Sequence, residues 1–191
     1  MTPAISLDLS LWNSLLDELS ARGEGWRESA AFLLAPKDSS PSLTVAVTSV
    51  AYLDDLDATC LTGGITFSAD GQSKLSSLCR ERGLKVVADV HTHPGTWVSQ
   101  SHIDAASPMV AVPGHLAIIV PRYAQNRPWI EKSGVHLYRG DGEWTSAFGV
   151  RVHDLVELRE SAHAPEDEAE SVWHRVVARL RRLLREVRRR D

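Results

Sequence analysis

The chain has 191 residues, 43% hydrophobic and 24% charged, a balance that suits a folded domain and excludes a chain that is disordered throughout. No apolar run approaches the roughly 18 residues of a membrane span, and no basic-then-apolar segment opens the chain, so we expect a cytoplasmic protein. The net charge of −4 is divided unevenly: residues 171–191 carry +6 and the other 170 residues carry −10, which disfavours a folded domain that binds nucleic acid.

Two helices are predicted in the first half of the chain. Apolar residues recur at helical spacing over Asp8–Gly23, where Ser10 is the expected N-cap. Ser68 is the expected N-cap of a second helix, which should end at Gly83. A third apolar stripe runs through the Arg-rich segment 171–191 and predicts an amphipathic C-terminal helix.

Short apolar and β-branched segments lie between and after these helices and are typical of buried strands. The predicted strands are Trp26–Ala35, Leu43–Leu53, Leu84–Val90 and His115–Pro121, followed by a hairpin of Val135–Arg139 with Glu143–Val150. Two loops are expected, at Asp54–Gly64 and Arg122–Ser133. Strands and helices mixed in this order predict an α/β or α+β sandwich.

The strongest chemical signal in the sequence is His91-Thr92-His93-Pro94. Two histidines separated by one residue in an extended strand project to the same side, so both can reach one metal ion. A catalytic zinc takes three nitrogen or oxygen ligands and keeps a fourth position for water, and Asp104 lies near enough in sequence to be the third ligand. The pattern predicts one zinc per chain, with iron and manganese as open alternatives.

Other residues of the same segment are candidates for contact with a substrate. The Ser101 hydroxyl, three residues before the aspartate, is a candidate donor to a tetrahedral oxyanion. Trp97 lies between the predicted ligands and, with Pro94 and Gly95, is predicted to face substrate. His102 fits no ligand spacing and is interpreted as a loop residue.

The spacing His-x-His-Pro followed by Ser-x-x-Asp resembles the JAMM motif of the JAB/MPN+ metalloproteases, which include deubiquitinases and their bacterial relatives. That family carries a glutamate upstream, on a strand that reads roughly E-x-x-G-x-L-x-G. The segment Glu28–Ala35 (ESAAFLLA) matches in register, with Ala31 and Ala35 in place of the glycines. By this resemblance Glu28, rather than the nearby Glu24, is the general base that takes a proton from the attacking water and passes it to the leaving amine.

The resemblance implies an MPN (JAB)-like α/β domain over residues 1–155, with a curved mixed sheet flanked by helices. An acidic linker at 156–170 and the Arg-rich helix at 171–191 would follow it. The implied activity is hydrolysis after the C-terminus of a ubiquitin-like protein, by deconjugation or by processing of a precursor. Implied partners are that protein or its conjugates and, in the bacterial branch, activating- and conjugating-enzyme-like proteins of one operon, some of them in antiphage systems.

Several alternatives stay open at the level of sequence. An amidase of the same family could act on a small molecule, or could release an amino acid from the C-terminus of a sulfur-carrier protein. A non-catalytic MPN scaffold could bind a partner through the C-terminal helix. His115 is interpreted as a hydrogen-bonded structural histidine with possible support of the metal site. A structural zinc or a thiol peptidase is disfavoured, because Cys60 and Cys79 lie in no matching pattern.

Overall fold

The computed structural model describes residues 4–40, 44–61 and 65–160, which contain four helices and nine strands. The helices are α1 (Leu9–Gly23), α2 (Leu53–Leu56), α3 (Ala69–Arg82) and α4 (His102–Ala106). The strands are β1 (Ile5–Asp8), β2 (Ala30–Pro36), β3 (Val45–Ala46), β4 (Ser49–Tyr52), β5 (Leu84–Thr92), β6 (Leu116–Val120), β7 (Gly134–Gly140), β8 (Glu143–Phe148) and β9 (Val156–Arg159). Short 3-10 turns lie at Arg122–Ala124, Ile130–Lys132 and Gly149–Asp154.

The strands form two sheets. The larger sheet has six strands in the order β4-β2-β5-β6-β7-β8, in which β5 and β6 run parallel and the other neighbours run antiparallel. The smaller sheet has the order β3-β1-β9, with both pairs parallel. A mixed sheet with helices packed on it confirms the α/β class predicted from the sequence.

Helices α1 and α3 cover opposite faces of the six-stranded sheet. Side chains alternate along β2, so neighbouring residues of this strand belong to different core clusters. Leu33 belongs to the core cluster that contains the apolar stripe of α1, such as Leu16. Phe32 belongs to the second cluster, with Leu75 of α3. Both strand side chains are fully buried, and burying each contributes about 1.5–3 kcal/mol.

The helix signals in the sequence are correct in extent and partly wrong in detail. Helix α1 follows Asp8, which makes no side-chain cap, and Ser10 lies inside the helix, so the predicted Ser10 cap is wrong. Helix α3 confirms its predicted caps: Ser68 Oγ accepts a hydrogen bond from the Gly71 amide at 3.2 Å. Gly83 ends the helix at φ +64°, a left-handed conformation that favours glycine.

Two predicted strands differ from the observed ones. The strand predicted at Trp26–Ala35 begins only at Ala30, because the chain first makes a turn in which the Trp26 amide donates to Gly23 O. The strand predicted at Leu43–Leu53 is divided into β3 and β4, which belong to different sheets. Between them the chain crosses over: the amide of Val47 donates to the smaller sheet and the amide of Thr48 to the larger.

The smaller sheet was not predicted from the sequence. Strands β1 and β9 have four residues each and stand almost at opposite ends of the described chain, so neither gives a local signal. Residues 156–159, predicted as part of an acidic linker, form β9 and pair with β1. The predicted hairpin is confirmed as β7 and β8.

The predicted C-terminal helix, 171–191, and residues 161–170 of the predicted linker lie outside the described residues. Within the described ranges, no helix combines the length and the apolar character needed to cross a bilayer.

The Ser68 cap gives a stability prediction. Ser68→Ala removes the side-chain acceptor for the Gly71 amide, so the free energy of unfolding should fall by about 1 kcal/mol, measured by urea denaturation. The matched control is Ser76→Ala, an exposed position inside α3, which should leave stability unchanged or slightly higher. Equal losses in both variants would show that the cap contributes nothing specific.

Candidate metal centre

His91 lies at the carboxyl end of strand β5, and His93 directly follows the strand. His91 pairs with Ala30 of β2, and Ala30 belongs to the core cluster on the α3 face of the sheet. Directly opposed residues of an antiparallel pair share a face, and alternate residues of one strand do so too. His91 and His93 therefore both project from the α3 face, where each is less than 10% exposed.

The third predicted ligand comes from the short helix α4. Ser101 and Asp104 form a capping box: Ser101 Oγ accepts from the Asp104 amide at 3.1 Å, and Asp104 Oδ2 accepts from the Ser101 amide at 2.8 Å. The box fixes the Asp104 carboxylate and aims its Oδ2 at the histidines. His102, interpreted from sequence as a loop residue, is instead the first residue of this helix.

The three residues converge tightly enough to hold a metal ion. Nε2 of His91 lies 3.9 Å from Asp104 Oδ2, and Nε2 of His93 lies 3.7 Å from the same oxygen. Ligand atoms placed tetrahedrally about 2 Å from one zinc would be roughly 3.3 Å apart, so a contraction of about half an ångström completes the geometry. The buried Nε2 of His91 has no hydrogen-bond partner among the described residues, as a ligand atom requires.

Asp89 and His115 support His91 on the Nδ1 side of its ring, away from the metal position. The sequence predicts such a role only for His115. Asp89 Oδ1 accepts from His115 Nε2 at 2.7 Å, and Oδ2 faces His91 Nδ1 at 3.4 Å. With Nδ1–H directed at a carboxylate, the Nε2 lone pair of His91 is directed at the metal position. The available signal was the alternation Asp89-x-His91-x-His93, which sets a charged residue inside an otherwise apolar strand.

Asp89 stays ionised although it is buried. Burial raises the pKa of its carboxyl, but hydrogen bonds from His115 and His91 and their charges more than offset this and hold the pKa below its ordinary value. A buried carboxylate is tolerated when such partners surround it, and removing one partner would leave an uncompensated charge.

Asp104 is likewise held in the form that binds metal. The approach of His93 to within 3.7 Å lowers the pKa of the Asp104 carboxyl most, burial opposes this, and Ser101 and the charge of His91 lower it further. The net result is a pKa well below the ordinary value. The carboxylate is therefore available as a ligand at any pH at which the histidines are neutral.

His93 is oriented by the backbone of the loop that follows it. Its Nδ1 lies 3.1 Å from the carbonyl oxygen of Trp97, an acceptor, so Nδ1 carries the proton and Nε2 is left for the metal. The indole of Trp97 stacks on the His93 ring at 5.6 Å between centroids and 21° between planes. The same indole is 57% exposed, so it presents a flat apolar surface beside the ligands.

Glu28 lies just before β2, and the register carries it towards the ligands. Ser29 O accepts from the Thr92 amide at 3.0 Å, so the pairing of β2 with β5 extends past Ala30. One residue further, the register sets Glu28 opposite His93, on the face that carries the ligands.

The electrostatics agree with this placement of Glu28. The pKa of His91 is raised overall, although burial lowers it. Asp89 and Asp104 raise it, and the charge of Glu28 acts in the same direction. The side chain of Glu28 is only half-buried, so water can reach its carboxylate.

The predicted substrate-contact residues line the rim of the site. Pro94 and Gly95 are exposed, and Gly95 O accepts from the Arg122 amide at 2.8 Å. The Tyr123 amide donates to His93 O at 2.9 Å, so the segment 122–127 runs along the metal loop. Five of its six residues are non-glycine residues at positive φ, an unusual run of strained backbone next to the ligands.

The cysteines contribute no nucleophile to this site. Cys60 is fully buried in the core cluster on the α3 face. Burial and nearby carboxylates raise the pKa of its thiol to about 11, so the thiol stays protonated at neutral pH. Burial also raises the pKa of Cys79.

No model of a known protein family matches the chain. Two solved structures share its fold: a protein from Desulfitobacterium hafniense, with 17% identity and a TM-score of 0.55, and one from Salinibacter ruber, with 16% identity and a TM-score of 0.50. The first match covers 83% of this chain and 97% of the other, and the second covers 85% and 95%.

A JAB1/MPN domain protein from Archaeoglobus fulgidus is also similar, at 16% identity over 80% of this chain and 99% of its own. Its TM-score of 0.43 is too low to carry an inference about this chain.

The geometry predicts how zinc binding responds to single substitutions. His93→Ala removes one of three ligands and should abolish stoichiometric zinc binding, measured by equilibrium dialysis and metal mass spectrometry. His102→Ala is the matched control, because this exposed histidine lies only two residues from Asp104 and should leave one zinc per chain. Loss of zinc in the control as well would contradict the three-residue site.

Removal of the Asp89 carboxylate should weaken zinc binding without abolishing it. In Asp89→Asn the carboxylate facing His91 is lost, so zinc affinity should fall by about 10–100-fold while the stoichiometry stays at one. Competition with a chromophoric chelator measures the affinity, and circular dichroism checks that the variant is folded. A folded Asp89→Asn variant with unchanged affinity would refute the supporting role.

Proposed function

We propose that this chain is a zinc-dependent peptidase of the JAB/MPN+ type, which hydrolyses the amide or isopeptide bond after the C-terminus of a ubiquitin-like protein. The observation that carries the proposal is the convergence of His91, His93 and Asp104 at the end of β5. The register of β2 adds an acid on the same face. Three ligands from nitrogen and oxygen, with no fourth among the described residues, suit a catalytic rather than a structural zinc.

Glu28 is the proposed general base. Zinc held by His91, His93 and Asp104 would polarise the scissile carbonyl and would lower the pKa of the attacking water towards ~7. Glu28 takes one proton from that water as the oxygen adds to the carbonyl carbon, and then gives the proton to the nitrogen of the leaving amine. The products are a carboxylic acid and an amine, and Glu28 returns to its starting form.

Ser101 is the proposed donor to the oxyanion. Its oxygen accepts from the Asp104 amide, which fixes the position of the hydroxyl group, and its O–H is the group that would turn to the oxyanion. The hydroxyl stands at the start of α4, beside the ligand that this helix carries. The capping bond holds the hydroxyl oxygen in place, and loss of one such oxyanion donor typically costs about 10²–10³ in rate.

The open form of the site supports an extended substrate. The ligands stand at the end of the sheet, and Trp97 presents an exposed indole beside them. The segment that begins at Arg122 is bonded to the metal loop and forms a wall on that side. A flexible carrier tail ending in small residues could lie along such a surface, whereas a rigid folded substrate could not bring its backbone to the ligands.

The ubiquitin-like protein, or its conjugates, is the proposed partner. Activating- and conjugating-enzyme-like proteins of the same pathway are proposed to supply those conjugates. An isopeptide bond after the carrier C-terminus is made by an enzyme that joins that C-terminus to an amine, so such conjugates require these proteins.

Replacement of the general base should separate catalysis from metal binding. Glu28→Gln should lower cleavage of a ubiquitin-like C-terminal amide by about 10²–10⁴-fold and leave one zinc per chain, because Glu28 is not a ligand. The matched control is Glu24→Gln, a neighbouring acid at the end of α1, which should keep wild-type activity.

The assay needs a panel of carriers, each with a fluorogenic amide at its C-terminus, with and without a chelator. Cleavage that survives in Glu28→Gln but disappears with chelator would contradict the role of Glu28. A zinc-loaded protein inactive on every carrier would refute the substrate class and leave the metal centre standing.

A further inference from the structure

His136 of β7 is a buried histidine that the proposed mechanism does not use. It is 1% exposed, and both ring nitrogens have partners. Nε2 lies 3.0 Å from the carbonyl oxygen of Val98, and Nδ1 lies 2.8 Å from Ser146 Oγ on the neighbouring strand β8. The ring therefore joins the β7–β8 hairpin to the loop between the metal ligands.

The partners of His136 fix its tautomer. A carbonyl oxygen can only accept, so Nε2 carries the proton and donates to Val98 O. Nδ1 then accepts from the Ser146 hydroxyl, which can act as donor. Burial lowers the pKa of His136 below its ordinary value, in accord with a neutral ring. Phe148 packs edge-on against the same ring at 5.6 Å and holds its plane.

Gly134, two residues before His136 on the same strand, makes the contact possible. A Cβ at this position would overlap the carbonyl oxygen of Val98, so a side chain larger than hydrogen would push the loop away from β7. The absence of a side chain lets the loop backbone approach the strand closely, and His136 then fastens the loop there.

The fastened loop carries the groups that orient two metal ligands. Val98 follows Trp97, whose carbonyl accepts from His93 Nδ1. Three residues after Val98, Ser101 caps the helix that presents Asp104. If the loop were displaced at Val98, both the Trp97 carbonyl and Ser101 would move.

We propose that His136 is a positioning residue of the metal centre, which fixes the loop 97–101 and through it the orientations of His93 and Asp104. The inference rests on the metal-binding part of the proposed function and extends it to a residue without contact to substrate. Ser146 and Gly134 contribute to the same positioning. Ser146 sets the tautomer of His136, and Gly134 leaves room for the loop at Val98 to approach β7.

The test compares His136→Leu, which has no donor, with His136→Gln, which keeps an N–H group near the position of Nε2. We expect His136→Leu to bind zinc about tenfold more weakly and to change the visible spectrum of the cobalt-substituted protein. Amide hydrogen exchange over residues 97–101 should be faster in the metal-free variant. His136→Gln should recover most of the affinity, which a purely space-filling role would not predict.

His153→Leu is the control, because this half-exposed histidine is bonded to Glu131 and not to the metal loop. It should leave affinity and loop exchange unchanged. A folded His136→Leu variant with wild-type zinc affinity and wild-type loop exchange would overturn the proposal. If the wild-type chain binds no zinc, the proposed function fails, and unchanged loop exchange in metal-free His136→Leu would still overturn the positioning role.

Ser146→Ala and Gly134→Ala test the same contact from other sides if His136→Leu does not fold. Ser146 is half-buried, so its truncation should be tolerated. We expect weaker zinc binding and faster exchange over 97–101 in both, with the larger effect in Gly134→Ala, whose Cβ would overlap Val98 O. Wild-type affinity and exchange in both variants would overturn the proposal.

Discussion

The candidate centre depends above all on the antiparallel pairing of β2 with β5. This pairing fixes which side chains share a face, so it brings an acid from one strand and two histidines from the other to the same end of the sheet. Ser29 and Thr92 extend the pairing by two hydrogen bonds, between Thr92 N and Ser29 O and between Ser29 N and Thr92 Oγ1. A slip of one residue would turn Glu28 to the α1 face and separate it from the ligands.

The histidine ligands are costly to bury, and the structure offsets this cost with successive layers of partners. His91 is supported by Asp89, and Asp89 by His115. His93 is supported by a loop carbonyl rather than by a side chain. One ligand therefore depends on a buried charge and the other on the position of the backbone.

The sequence predicts local features of this protein better than the pairing of segments that are distant along the chain. His91, His93 and Asp104 could be identified because ligand type and spacing are local properties of the chain, and the structure brings them together. The caps of α3 were predictable for the same reason. The smaller sheet was not, because its strands are short and their partners are far away in sequence. The support from His136 gave no signal either, since its meaning depends on a loop 38 residues earlier in the chain.

The parallel pairing of β5 and β6 has a further consequence for how such a protein can change during evolution. Parallel neighbours cannot be joined by a tight turn, so residues 93–115 must return the chain to the opposite end of the sheet. That return segment holds Ser101, Asp104 and the exposed Trp97. Insertions or replacements in this segment, away from His93, Ser101 and Asp104, could alter the surface beside the ligands while the sheet stays unchanged, so this surface and the stability of the fold can diverge separately.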